Sequence, residues 1–148
     1  MDLSQSLEIT SLTDPGTVRS HNEDSVAAST GAGLAILADG MGGYNAGEVA
    51  SGMAVTMLSA GLESALRTRG AEKSTAALVA SEIQKVNEAI YRAAESQPQY
   101  AGMGTTLVLA LFRDNRVTVA HVGDSRLYRL RAERLTQLTR DHSFLQEQ

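Results

Sequence analysis

Residues 34–43 read LAILADGMGG, and this stretch decides the fold. Its first five residues are apolar without a break and short, consistent with a buried strand. The strand stops at Asp39, and Gly40, Gly42 and Gly43 follow. The period then changes. Val49, Met53 and Met57 are spaced by four, as are Leu58, Leu62 and Leu66, so residues 46–68 read as a long amphipathic helix. A buried strand thus delivers a carboxylate to its own end, beside glycines that allow close approach. Hard divalent cations take oxygen ligands, and Asp39 with a neighbouring backbone carbonyl offers two. Alone, the same string also reads as a strand-to-helix turn with Asp39 as a local cap, because short Gly-rich motifs are weakly specific.

Working outward, a second helix is expected over residues 74–95, with Val79, Ile83, Val86 and Ile90 on one stripe. Gly70 reads as the stop of the first helix, and Pro98 lies just past the second. Upstream, residues 7–13 alternate loosely, which suggests a strand before the turn Asp14-Pro15-Gly16. Residues 25–30 suggest another. Downstream, residues 105–112 and 117–122 read as two strands joined by a turn at 113–116, with Gly123-Asp124 ending the second. Residues 125–130 and 135–139 suggest further strands, and residues 141–148 the first turn of another element. Strands, two adjacent helices and more strands predict an α+β fold with antiparallel sheets.

Composition narrows the function. The chain has 148 residues, 43% of them hydrophobic, enough for one domain with a real core. A net charge of −4 argues against nucleic acid or an anionic membrane as partner. Cysteine is absent, which excludes disulfides, thiolate-ligated zinc and every thiolate nucleophile. The first twelve residues lack a basic segment and an apolar run, and the apolar stretches fall short of a membrane span. A cytoplasmic protein is expected.

Three further polar segments carry candidate chemistry. In residues 19–25, RSHNEDS, Arg19 offers a planar fork suited to phosphate, and Glu23 and Asp24 are adjacent acids. Neighbouring side chains of an extended segment point to opposite faces, so only one of the two acids can face an ion directly. A solvated polar loop is the plainer reading. Asp124, in Gly123-Asp124-Ser125-Arg126, reads by itself as an ordinary hairpin turn. A fourth acidic turn, residues 139–143 with Asp141, reads as a helix N-cap at the start of the last element. His21, His121 and His142 have no zinc-ligand spacing, and His121, inside a strand, reads as structural.

Taken in order, RSHNEDS (19–25), LADGMGG (37–43), GMGTT (102–106), VGDSR (122–126) and TRDHS (139–143) resemble the type 2C, metal-dependent family of Ser/Thr protein phosphatases. Each string is weak alone, but five in sequence are specific, and Met41 resembles the bacterial branch. The resemblance implies a four-layer α-β-β-α sandwich of antiparallel sheets, of which this chain is the N-terminal part. It implies that Arg19 binds the substrate phosphate and that Asp39 bridges two Mn²⁺ or Mg²⁺ ions. The Gly40 carbonyl would bind one ion, Glu23 and Asp24 would act directly or through bound waters, and Asp124 would help form a third metal site. Gly104, Thr105, Thr106, Ser125 and Arg126 carry over as structural. The implied reaction is hydrolysis of phosphoserine or phosphothreonine in proteins by a hydroxide bridging two ions, with a Ser/Thr kinase as the opposing enzyme. With Met41 where other members have His, the general acid is open between metal-bound water and His142.

The family's catalytic domain carries two later aspartate motifs, and neither follows Ser143 here. Residues 1–148 are therefore expected to form the N-terminal part of one catalytic domain, truncated before the last metal-binding motifs. The alternative from another class is an inactive regulatory fragment that binds metal or phosphate.

Overall fold

A computed structural model describes residues 3–43, 46–68 and 74–142. The expected helix stop at Gly70 and the element beginning near 141–148 lie wholly or mostly outside them. Two adjacent strands, β1 (Asp24–Ser29) and β2 (Leu34–Met41), are followed by helices α1 (Ala46–Thr68) and α2 (Thr75–Ser96). Five short strands complete the order: β3 (Gly104–Thr105), β4 (Leu107–Arg113), β5 (Arg116–Val122), β6 (Tyr128–Arg131) and β7 (Arg134–Gln137). The main sheet runs β1-β2-β4-β5, with β3 on the far end of β2, and every pairing is antiparallel. β6 and β7 form a separate two-stranded sheet. The α+β fold with antiparallel sheets is as expected; the described residues supply one helical layer, one large sheet and one hairpin.

The helices cover one face of the main sheet. Every fourth residue of α1 from Ala46 through Ala50, Ala54, Leu58 and Leu62 is buried, against Leu34, Ile36 and Ala38 of β2 and Leu107, Leu109 and Leu111 of β4. Leu58, Leu62 and Leu111 have no exposed surface. Burial of each such side chain stabilises by about 1.5–3 kcal/mol. α2 packs on α1 through Leu78, Val79, Val86 and Ile90, so the stripe read from its sequence is the stripe it buries. Its first turn is capped where the sequence placed the start, with the Ser74 hydroxyl accepting from the Ala77 amide at 3.2 Å. By length and composition α1 could also cross a membrane, contrary to the sequence reading. Here it is the central helix, packed on β1, β2, β3 and α2.

The run 34–38 lies in a strand, as read, and is buried on one face: Leu34, Ile36 and Ala38 are buried, whereas Leu37 is 38% exposed. Its outward side chains, with Val26, Val108 and Ala110, line an apolar trough flanked by residues 9–12 and Leu127. Residues 7–13 form no strand, because a strand exists only through a partner's ladder and this segment has none among the described residues. The segment at Gly123-Asp124 is no hairpin turn either. Among the described residues β5 pairs only with β4, and β6 only with β7, so residues 123–127 lead the chain out of the main sheet. The true hairpins turn at Asp114-Asn115, as read, and at Ala132-Glu133, all four at positive φ as a two-residue turn of matching twist requires.

Candidate metal and phosphate site

Asp24 begins β1 and Asp39 lies near the end of β2, and the two are directly opposed across the antiparallel ladder. Side chains alternate along a strand, so both stand on the sheet face turned away from the helices. Partial withdrawal from water, then the charge and proximity of the Asp24 carboxyl and the charge of Asp124, push the Asp39 carboxyl above its ordinary value; Arg19 pulls the other way. Like charges directly opposite on a sheet are destabilising. A cation between them would reverse that sign.

Glu23, one residue earlier, faces the other side, as the alternation argument requires. Its carboxylate pairs with Arg19 Nη1 at 3.0 Å and lies against Gly47 in the first turn of α1. Its carbonyl accepts from the Gly40 amide at 3.0 Å and the Ser51 hydroxyl at 2.6 Å. Of the two adjacent acids, Asp24 thus joins Asp39 and Glu23 joins Arg19. The fork of Arg19 remains largely in solvent, its side chain 69% exposed.

Gly40 is buried, and the structure supplies a packing reason for a glycine there. A β-carbon there would fall 2.0 Å from the Gly47 carbonyl oxygen, and one on Gly47 would fall 2.6 Å from Glu23 Oε1. The pair lets the start of α1 meet β2 backbone to backbone. Glycine therefore serves helix approach here, and the two segments that carry Glu23 and Asp39 are locked together by it. Met41 follows with its side chain outward, 60% exposed.

On the other side of Asp39, the GMGTT string holds its backbone. The Asp39 amide donates to Thr106 Oγ1 at 3.1 Å, and its carbonyl accepts from the Thr106 amide at 2.9 Å and Thr105 Oγ1 at 3.0 Å. The hydroxyls of Thr106 and Ser125 are 2.6 Å apart. Gly123, at φ +91°, packs so tightly that a β-carbon would meet Thr106 Cγ2 at 2.9 Å. These contacts bring exposed Asp124 within electrostatic reach of Asp39.

Asp141 pairs with Arg126 through three contacts: Nε to Oδ1 at 2.9 Å, Nε to Oδ2 at 3.1 Å and Nη2 to Oδ2 at 2.6 Å; the element that the cap read at 139–143 would begin lies outside the described residues. Those hydrogen bonds hold its carboxyl below the ordinary value. His142 donates its amide to the Gly123 carbonyl at 3.0 Å and accepts at Nδ1 from the Gly123 amide at 3.3 Å. His121 lies 2.7 Å from the Arg140 carbonyl through Nε2, and its ring stacks near that of His142, centroids 4.6 Å apart. His121 is structural, as read. His142 is tied to the Gly123 backbone and not to Asp39; its only sequence signal was the TRDHS string. Among the described residues, no three His, Asp or Glu side chains converge closely enough to enclose an ion.

The strands, the paired carboxylates and the five strings together are those of the metal-dependent phosphatase 2C family. Residues 17–147 match protein phosphatase 2C, and the chain belongs to that family. It is 45% identical over 138 residues to the serine/threonine phosphatase stp of Listeria welshimeri, covering 91% of this chain and 54% of that protein. The crystal structure of Stp1 from Staphylococcus aureus superposes with a TM-score of 0.80 at 36% identity, over 99% of this chain and 58% of that one. The catalytic domain of PstP, crystallised in complex with two manganese ions, superposes at 0.77 with 44% identity, over 90% of this chain and 55% of that one. This chain spans about half the length of these relatives.

Proposed function

We propose that this chain supplies the N-terminal part of a catalytic domain that hydrolyses phosphoserine and phosphothreonine in proteins with Mn²⁺ or Mg²⁺. The observation that carries the reading is the in-register Asp24–Asp39 pair, with Asp124 and Arg19 in electrostatic reach. The donors are all oxygen, which suits a hard divalent cation, and the two opposed carboxylates leave a repulsion that a cation would relieve. The two manganese ions of the PstP catalytic domain support the same assignment.

Two such ions, when bound, supply a water acidic enough to attack phosphorus and a screen for phosphoryl charge. Asp39 and the Gly40 carbonyl would hold the pair, with Asp24 and Glu23 acting directly or through water, and Asp124 serving a third ion. Arg19 would bind the phosphate. One nitrogen of its fork holds Glu23, and the others remain free to donate to phosphoryl oxygens. That arrangement fixes the orientation of the arginine while its outer edge faces solvent. Substrates would be phosphorylated cytoplasmic proteins whose opposing enzyme is a Ser/Thr kinase.

A second reading rests on the absence of a three-carboxylate cluster among the described residues: a fragment that binds metal or phosphate without turnover. Calorimetric titration with Mn²⁺ and turnover of a phosphothreonine peptide separate the two. The phosphatase reading expects Mn²⁺-dependent release of phosphate that Asp39→Asn abolishes. Binding without turnover selects the fragment, and neither activity overturns both.

A further inference from the structure

The described chain ends in a segment that folds back on the Asp124 turn. Residues 139–142 return beside residues 121–127, joined to them by side-chain and backbone hydrogen bonds. The Arg126–Asp141 pair is the strongest link, with Asp141 only 10% exposed at its side chain. Asp141 is further fixed by Gln137 Nε2, 3.4 Å from Oδ1; the same nitrogen donates to the Thr139 carbonyl at 2.9 Å. The Leu127 amide donates to buried Thr139 Oγ1 at 3.1 Å. On the other flank of Asp124, His142 grips Gly123 through both its amide and its ring.

We propose that Arg126 and Asp141 are positioning residues: they clasp the 139–142 segment onto the Asp124 turn and so set the place of Asp124 relative to Asp39. This deepens, and rests on, the cation site proposed above. The connection is continuous. Asp39 is held by Thr106, Thr106 meets Ser125, and Asp124 lies between Ser125 and Gly123, which His142 holds. The Asp124 turn belongs to no ladder, since β5 ends at Val122 and β6 begins at Tyr128. A segment outside the sheet has little backbone pairing of its own to fix it, so its position depends on side-chain links. A bidentate arginine–carboxylate pair has the directional geometry to do this, which a lysine at the same place would not reproduce. Asp141 itself is committed to Arg126 and so acts through it.

The test uses the 148-residue chain with Asp141→Asn and Arg126→Lys, followed by amide hydrogen exchange without metal and by Mn²⁺ broadening of amide resonances. In both variants the Gly123 amide should exchange at least tenfold faster, with Leu58 and Leu109 unchanged. Broadening at Asp24 and Asp39 should need the same Mn²⁺ within twofold, and broadening at Asp124 at least fivefold more. Arg126→Lys, which keeps the charge, decides the matter if Asp141→Asn does not fold. A parent chain that responds to Mn²⁺, with variants whose Asp124 response or Gly123 exchange matches it, overturns the clasp but leaves the cation site standing. A parent in which none of the three amides responds overturns both, since no cation remains for Asp124 to be placed against.

Discussion

Replacing Asp39 by Asn should make the metal-free chain more stable at neutral pH, although it removes the residue central to the proposed site. The Asp24–Asp39 pair is a like-charge cross-strand pair, and such pairs cost on the order of 0.2–1 kcal/mol. Solvent reaches both residues, so the lower part of that range applies at physiological salt. For a chain of this size 1 kcal/mol moves Tm by about 2–4 °C, so the metal-free variant should melt about 0.5–2 °C higher at pH 7. The sign follows from the carboxyl being raised in the fold. Below the ordinary value of 3.8, Asp39 is protonated whether the chain is folded or unfolded and costs nothing. As pH climbs through the higher folded value, ionisation beside Asp24 lowers the stability of the parent, and the penalty persists at neutral pH. The advantage of the variant should therefore be absent at pH 3 and complete at pH 7. Millimolar Mn²⁺ should invert the order, because a ligand that binds only the folded parent adds stability by mass action. Melting curves by circular dichroism at both pH values, with and without Mn²⁺, read all of this. A metal-free Asp39→Asn chain that melts below the parent at pH 7, or equal stabilisation of both by Mn²⁺, refutes the reasoning.

Gly40→Ala should cost about 3 kcal/mol or more, because its β-carbon would sit 2.0 Å from the Gly47 carbonyl, whereas Gly43→Ala, with open space around it, should be neutral within about 0.5 kcal/mol; urea midpoints compare them. Asp141→Asn should blunt the loss of stability on acidification. The Asp141 carboxyl is depressed in the fold, so its contribution is full above 3.8 and fades as pH falls through the lower folded value, which an acid titration of the far-UV signal follows. Arg19→Ala should change stability by less than about 1 kcal/mol, since its pair with Glu23 is exposed. In a chain with turnover it should raise KM for a phosphopeptide roughly 10- to 150-fold, the worth of a lost charge-assisted bond.

Local order was legible in the sequence where it is set by neighbours along the chain. The four-residue spacing of Leu58 and Leu62 predicted the buried face of α1, and Ser74 predicted where α2 begins. The alternation rule predicted that Glu23 and Asp24 part company, and they do. Asp39 and Gly40 stood out as a carboxylate and glycine at a strand's end. Sequence pattern also chose the family, because five ordered strings are improbable together.

What only the tertiary structure decided concerns partners distant in sequence. An apolar run such as 34–38 has the same composition whether one or both of its faces is covered, and the exposure of Leu37 depends on what lies over the sheet. Residues 7–13 have strand-like alternation but no ladder, since pairing belongs to two segments and not to one. That Gly40 also makes room for the first turn of α1 could not be read from the string. Nothing in the string announced that Asp141 is the counter-ion of Arg126, fifteen residues earlier. Periodicity and turn chemistry act over a few residues and survive in a string of letters. The pairing of charges across a fold depends on where the backbone carries them, which the folded chain alone specifies.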